Sequence, residues 1–258
     1  MRKLLCADGY RMYAKKWFWL CVVCMILLAV AFCMMQYTAM DYVVSLDRVI
    51  FLPLSVYGVA VAALVSQFSG EDFHSGVIRN KIIAGRSRTS IYLSGMVSNV
   101  TACIAVYLLT IAVSLGIGRL LFPVNVTTGE IVWHLVLGLF LCLSYASLYH
   151  MIAMLTGKKT TAIVLCMGLS FLLLFLCLHT NQILMQEAFK DGLPNPHYVQ
   201  GVKRTVYEWL HDWNPFGQAA QLSAMQCRNP ARFVASDLGM AVLTSAIGIA
   251  GFGQKQLS

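Results

Sequence analysis

The feature that most constrains this chain is a set of six apolar runs, each about as long as a bilayer is thick. They lie at approximately residues 17–35, 49–68, 97–121, 131–155, 161–179 and 234–252, and about 20 apolar residues in a helix cross the hydrocarbon core. Within lipid a spanning segment must satisfy its own backbone N–H and C=O groups, which makes runs of this length helices. Composition agrees, with 59% of residues hydrophobic and 12% charged, where a soluble domain has about 45–50% and a quarter. The expected fold is an all-α integral membrane protein, a single transmembrane domain over residues 1–258.

The net charge is +8, but the basic residues flank the spans instead of forming one patch. That is the pattern that orients a membrane protein, and nucleic acid is not an expected partner. If the N-terminus is cytoplasmic, twelve of the 19 Lys and Arg fall on the inner side, five of them in Met1–Lys16 and four in Glu71–Ser94. Five of the remaining seven lie in one long outer segment, about 180–233, which the rule discounts. Both termini are therefore expected inside.

Met1–Lys16 mixes Arg2, Lys3, Arg11, Lys15 and Lys16 with Leu4, Leu5, Tyr10, Met12 and Tyr13, the makings of a short basic helix at the interface with anionic lipid. Trp17 and Trp19 mark its turn into the bilayer. Its first apolar run is long enough to span and lacks a small-residue cleavage site, so a cleavable leader is not expected. Pro53 is placed to kink or open the second span, which neighbouring helices tolerate. In the outer segment, 182–190 and 202–210 read as helical, and Asn214-Pro215-Phe216 punctuates a turn. Trp209, Trp213 and Phe216 are expected to anchor at the headgroups or cap the bundle.

Catalytic and metal chemistry find little support. Cys21 and Cys24 form a CxxC with no second ligand pair, and within a span free cysteines pack as small hydrophobes. Glu130 and His134 can share a helix face, but a metal needs more ligands. His150 is expected to bond a neighbouring helix. No GxSxG or HExxH occurs, and Gly157-Lys158-Lys159-Thr160 lacks the glycine and residue order of a phosphate loop, so the chain is not expected to be an enzyme or to bind a cofactor. Arg48, Arg119, Glu130 and Asp237 are all expected near outer ends, in reach of water. An ionisable group at mid-depth usually serves a function, and the lack of one counts against a proton-coupled carrier.

The polar island between the second and third spans, Glu71–Ser94, carries Arg79, Lys81, Arg86 and Arg88. From Glu71 to Ala84, apolar residues at Phe73, Val77, Ile78, Ile82 and Ile83 give a helical stripe. Glu71 and Asp72 at its start and Arg79 and Lys81 further on suit the helix dipole. Gly85 is a credible C′ residue, and Ser87 or Thr89 an N-cap for the third span. Physically, such a turn either rests its cations on the inner leaflet or meets another protein.

This stretch resembles the loop after the second span in type 2 ATP-binding-cassette permeases. The likeness rests on Glu71, then Gly76-Val77-Ile78-Arg79-Asn80-Lys81-Ile82, Gly85-Arg86-Ser87-Arg88 and Ile91-Tyr92-Leu93-Ser94, with Val77 where the family usually has Thr. Asn214-Pro215-Phe216-Gly217-Gln218 and Gly251-Phe252-Gly253-Gln254-Lys255-Gln256-Leu257 are similar to its Pro-Phe element and its tail, with Gln256 in place of the usual acid. The resemblance implies one half of an exporter, with a second permease subunit, same or sister, completing the pathway. A separate ATPase dimer, holding ATP and magnesium, would bind beneath, with the polar loop as its coupling helix. Phe73, Val77, Ile78 and Ile82 would then be docking anchors, Glu71, Arg79 and Lys81 polar contacts, and Gly76 and Asn80 part of the same motif. The resemblance also implies a bacterial cell membrane and a cargo such as an antimicrobial peptide or another amphipathic molecule. The alternative is a secondary carrier or channel not driven by ATP.

Overall fold

The computed structural model describes residues 2–39, 44–190, 193–196 and 198–255. Six helical segments among them are long and apolar enough to cross a membrane. They are α2 (Lys16–Ala39), the pair α3 (Asp47–Ile50) and α4 (Leu54–His74), α6 (Arg88–Leu121), α7 (Thr128–Thr156), α8 (Lys159–Leu184) and α11 (Pro230–Gln254). Between and before them lie α1 (Arg2–Ala14), α5 (Val77–Ile83), α9 (Val202–Trp213) and α10 (Pro215–Ser223). Two residue pairs, β1 (Phe189–Lys190) and β2 (Leu193–Pro194), form a small antiparallel hairpin.

All six expected spans are present, and each helix is longer than its apolar run. α6 has 34 residues, about 50 Å at 1.5 Å per residue, against a hydrocarbon core of about 30 Å. It begins at Arg88, nine residues before the apolar run at Val97. The backbone ladder does not stop where hydrophobicity stops; it stops at a cap. Here the Ser90 N–H donates to Ser87 Oγ at 3.3 Å. α7 starts in a capping box in which Glu130 N donates to Thr127 Oγ1 and Thr127 N donates to Glu130 Oε2, at 3.3 and 3.0 Å. It ends at Gly157, φ +69°. Asn214 and Asn229 cap α10 and α11, each followed by a proline at the first helical position.

Two helices form the centre. α4 packs on α8, α7, α10 and α2, while α7 packs on α11, α4, α6 and α8. The layer between them is aromatic, with Tyr57, Tyr107, Tyr145 and Phe216 in edge-to-face contacts 5.3–6.2 Å apart. Gly58 is what lets α10 in. A Cβ there would stand 2.6 Å from the rings of both Phe216 and Tyr145, closer than packed carbons tolerate. The small residues Ala62, Ala146 and Ser147 are fully buried in the same core, as close helix approach requires. Pro53 sits at the junction of α3 and α4, where the chain tightens into i→i−3 hydrogen-bonded turns such as Leu54 N to Phe51 O at 2.9 Å.

Three local expectations change. Residues 71–84 are two helices, because α4 continues to His74 and Gly76 turns the chain with φ +70°, a left-handed conformation that favours glycine. The helix expected over 182–190 is absent: α8 ends at Leu184, and Asn195 Nδ2 takes the Glu187 carbonyl at 3.0 Å, competing with the helical ladder. Asn214-Pro215-Phe216 starts α10 instead of forming a bare turn. The helix expected at 202–210 is present and extends to Trp213.

Candidate functional site

At one end of the bundle, α5 sits between α4 and α6 and is held from one side by α1. Leu4, Asp8 and Met12, one turn apart on α1, are buried against the protein, so this helix uses part of its surface for packing as well as its basic residues. Lys81 Nζ on α5 lies 2.6 Å from Asp8 Oδ1, and Ser94 Oγ on α6 donates to Asp8 Oδ2 at 2.7 Å. Arg11 forms a bidentate pair with Asp72, and Lys15 Nζ meets Glu71 Oε1 at 2.6 Å. The C-terminal end closes the other side. Arg88 donates to the carbonyls of Phe252, Gly253 and Lys255, while Lys255 Nζ caps α7 through the carbonyls of Met154 and Leu155 at 3.2 and 2.9 Å and lies over the Phe73 ring. Gln256 and Leu257 lie outside the described residues.

α5 is bounded by glycines. After Gly76, the helix runs seven residues and ends in a Schellman motif: Gly85 N donates to Ile82 O at 2.9 Å and Arg86 N to Lys81 O at 3.1 Å. Gly85 has φ +76°, the C′ conformation expected of it, and Ser87, not Thr89, caps α6.

This geometry sorts the nine residues singled out from the sequence. Ile78 is buried, and Phe73 and Ile82 pack beside it with Leu4, Ile91, Tyr92, Met154 and Phe252. The apolar stripe therefore points into the protein, and Ile78 is not free to anchor a partner. Glu71 and Lys81 face Lys15 and Asp8, so their charges are also used internally. Gly76 makes the turn, and Val77 is half-buried. Arg79 and Asn80 are exposed, and each neighbours Ile83, 77% exposed, at i+4 and i+3 respectively. Ile83 is the residue that sequence reasoning undervalued. Once α5 is phased from Gly76 instead of Glu71, the 78/82 pair faces in and the 79/83 pair faces out.

The opposite end carries α9 and α10. α9 is amphipathic: Val202, Val206, Trp209, Leu210 and Trp213 line an open apolar face. Arg232 stacks over Trp209 and pairs with Asp212 at 2.8 Å. Trp209 and Trp213 are thus half-exposed, whereas Phe216 is buried against Tyr145 and Gly58. Burial holds the His211 imidazole below its ordinary pKa, with Thr180 Oγ1 3.0 Å from its Nδ1.

Beneath α10 lies a group the sequence misplaced. Arg48, Arg119 and Glu130 are exposed, as expected, but Asp237 is 1% exposed. It lies beside Ser144 of α7 and Gln218 of α10, and Ser144 stands just past the middle of the 29-residue α7. Ser144 and Gln218 are within reach, but neither carboxylate oxygen makes a well-formed hydrogen bond. Distance along the apolar run placed Asp237 near water; α10 folds back over that end and removes the water.

The remaining candidates are structural. Glu130 completes the capping box, and His134 Nδ1 lies 2.8 Å from the Glu130 carbonyl. All nine cysteines are free thiols, including Cys21 and Cys24. His150 bonds the neighbouring helix α6: Nε2 donates to the Tyr92 carbonyl at 3.0 Å, and Nδ1 accepts from Asn99 Nδ2 at 2.9 Å. Comparison with protein-family models and with curated proteins gives no match to this chain.

Proposed function

We propose that this chain is the membrane-spanning permease subunit of an ATP-driven exporter. Two such subunits, identical or sister chains, would form the pathway above a separate ATPase dimer, and ATP-driven closure of that dimer would be transmitted through α5. The observation that carries this reading is α5 itself. It is a seven-residue helix set off from two long spans by left-handed glycines, and it is braced from behind by Asp8 through Lys81. Its outer face offers Arg79, Asn80 and Ile83. A rigid support with an apolar residue between polar ones suits insertion into a groove of a partner. The resemblance of 71–94 to the coupling loop of type 2 permeases, and the lack of a phosphate-loop motif in the chain, point to that partner being an ATPase. On this reading the α1–α5 end and both termini are cytoplasmic, the membrane is a bacterial cell membrane, and the cargo is amphipathic, with antimicrobial peptides the leading class.

The test is copurification of the full-length chain with its ATPase from a common membrane. Ile83→Asp and Arg79→Glu should each reduce recovered ATPase at least tenfold while leaving the amount inserted unchanged. Normal recovery with both changes, or transport that needs no ATPase, would refute the proposal.

One observation favours a second reading, a secondary carrier. A buried carboxyl beside the middle of a span is the kind of group ion-coupled carriers use, and Asp237 holds such a position. Transport sustained by an ion gradient without ATP would decide for it.

A further inference from the structure

The seam where α7, α10 and α11 meet contains five buried side-chain oxygens without a well-formed hydrogen bond: Ser144 Oγ, Tyr145 OH, Gln218 Oε1, and Asp237 Oδ1 and Oδ2. Their residues are 1%, 0%, 1% and 1% exposed. Buried polar groups are ordinarily hydrogen-bonded, and one left alone costs about 1–3 kcal/mol. Ser144 and Gln218 adjoin Asp237 directly, and Tyr145 lies nearby. So many orphans in one place mark something that the protein atoms alone do not supply.

Gln218 uses its amide hydrogens on the Asp212 carbonyl at 2.8 Å and on Ser236 Oγ at 2.6 Å. Its Oε1 can therefore only accept. An ionised Asp237 also only accepts. Ser144 and Tyr145 have one hydroxyl hydrogen each to give, so acceptors outnumber donors. A carboxylate here also lacks a counter-charge, since among the described residues no Lys, Arg or His makes an ion pair with Asp237. The other groups facing it are Cys142 and Tyr145 of α7. Arg232, just over one turn away on α11, is engaged with Asp212 of α9, and α6 meets α11 two turns further in, through Tyr92 OH and the Thr244 carbonyl. An isolated buried carboxylate is strongly unfavourable. One added proton corrects both deficits. It neutralises Asp237 and makes one of its oxygens a donor for Gln218 Oε1, while the other accepts from Ser144.

We propose that Asp237, Gln218, Ser144 and Tyr145 form a proton-binding site in the buried interior of the helix bundle, loaded while the α7–α10–α11 seam is closed and emptied when the seam opens to water. On opening, the carboxyl O–H bond breaks and the proton passes to water, leaving a hydrated carboxylate; no electron transfer is involved. Closed and open states would then differ by one bound proton, so their balance would shift with pH whether ATP or a gradient drives transport.

The experiment is infrared difference spectroscopy of the full-length protein in lipid nanodiscs, with aspartate labelled with carbon-13. At neutral pH, the wild type should show the carbonyl band of a protonated aspartic acid, sensitive to the label and lost in Asp237→Asn. Ser144→Ala or Gln218→Leu should shift that band, which keeps the assignment secure if Asp237→Asn does not fold. Parallel melting curves in sodium chloride and choline chloride complete the test. Absence of the band overturns the proposal: with sodium-specific stabilisation of the wild type the ligand is a metal cation, and with no salt specificity the carboxylate is simply hydrated. A band retained in Asp237→Asn and unmoved by the other two changes places the protonated acid elsewhere and also overturns it.

Discussion

Replacing Lys81 with Met tests whether this residue is an internal pin or a contact for another protein. Its ammonium lies 2.6 Å from Asp8 and 4.0 Å from Asp72, and its side chain is 13% exposed against 1% for Asp8. Deleting one partner of a buried ion pair costs about 3–5 kcal/mol, because the other charge is left uncompensated. Asp8 would keep the Ser94 hydroxyl at 2.7 Å and Arg11 at 3.7 Å, so we expect a loss at or below the bottom of that scale, about 2–3 kcal/mol. For a chain of this size that corresponds to a fall in Tm of about 4–12 °C. Asp8→Asn together with Lys81→Met removes both charges and should lose about 1–2 kcal/mol less than the two single changes added, the mark of a direct interaction. The assay is unfolding of purified protein in mixed micelles, by heat and by a denaturing detergent. If Lys81→Met melts with the wild type yet no longer recovers ATPase, Lys81 faces a partner and the bracing of α5 by α1 is wrong.

Two further outcomes follow from packing and burial. Gly58→Ala should destabilise by about 1–3 kcal/mol, the usual effect of overpacking, because its Cβ would stand 2.6 Å from the rings of Phe216 and Tyr145; the same micelle unfolding measures it, and Phe216→Leu in the same chain should recover part of the loss. His211 sets a pH dependence. Burial depresses its folded pKa below the ordinary 6.5, so the unfolded chain takes up a proton more readily than the folded one. Its stabilising contribution is complete above about pH 6.5, shrinks as pH falls through that value, and levels off below the folded pKa. Melting curves of the wild type against His211→Gln should converge in this way on acidification, and a difference that does not change with pH would refute it.

The six spans, the N-terminal helix, the break before α6 and the caps at Ser87 and Gly85 were legible in the sequence. Each depends on chemistry local to a dozen residues or so: the length of an apolar run, a side-chain oxygen placed to meet a free N–H, a glycine able to turn left-handed. The polar island was legible for the same reason, as a stretch too charged for lipid between two that are not. What one-dimensional reading could not supply was direction. A stripe at Phe73, Val77, Ile78 and Ile82 reads equally well as a docking face or as a core face, and only α1, α6 and the C-terminal end of α11, arriving from up to 180 residues away, turn it inward. That leaves Arg79, Asn80 and Ile83 outside.

Asp237 makes the same point about depth. Its position near the start of the last apolar run suggested water, because a sequence records distance along a helix and not what covers the helix. α10 covers it, and α10 fits there only because Gly58, far earlier in the chain, has no side chain to hold Phe216 away. The sequence by itself determined which segments must leave water and which must stay in it, since that is a property of each segment's own transfer free energy. Tertiary structure alone decided which polar groups among those segments are partnered and which are left in the dry interior, because satisfying a buried group depends on atoms brought there by other helices.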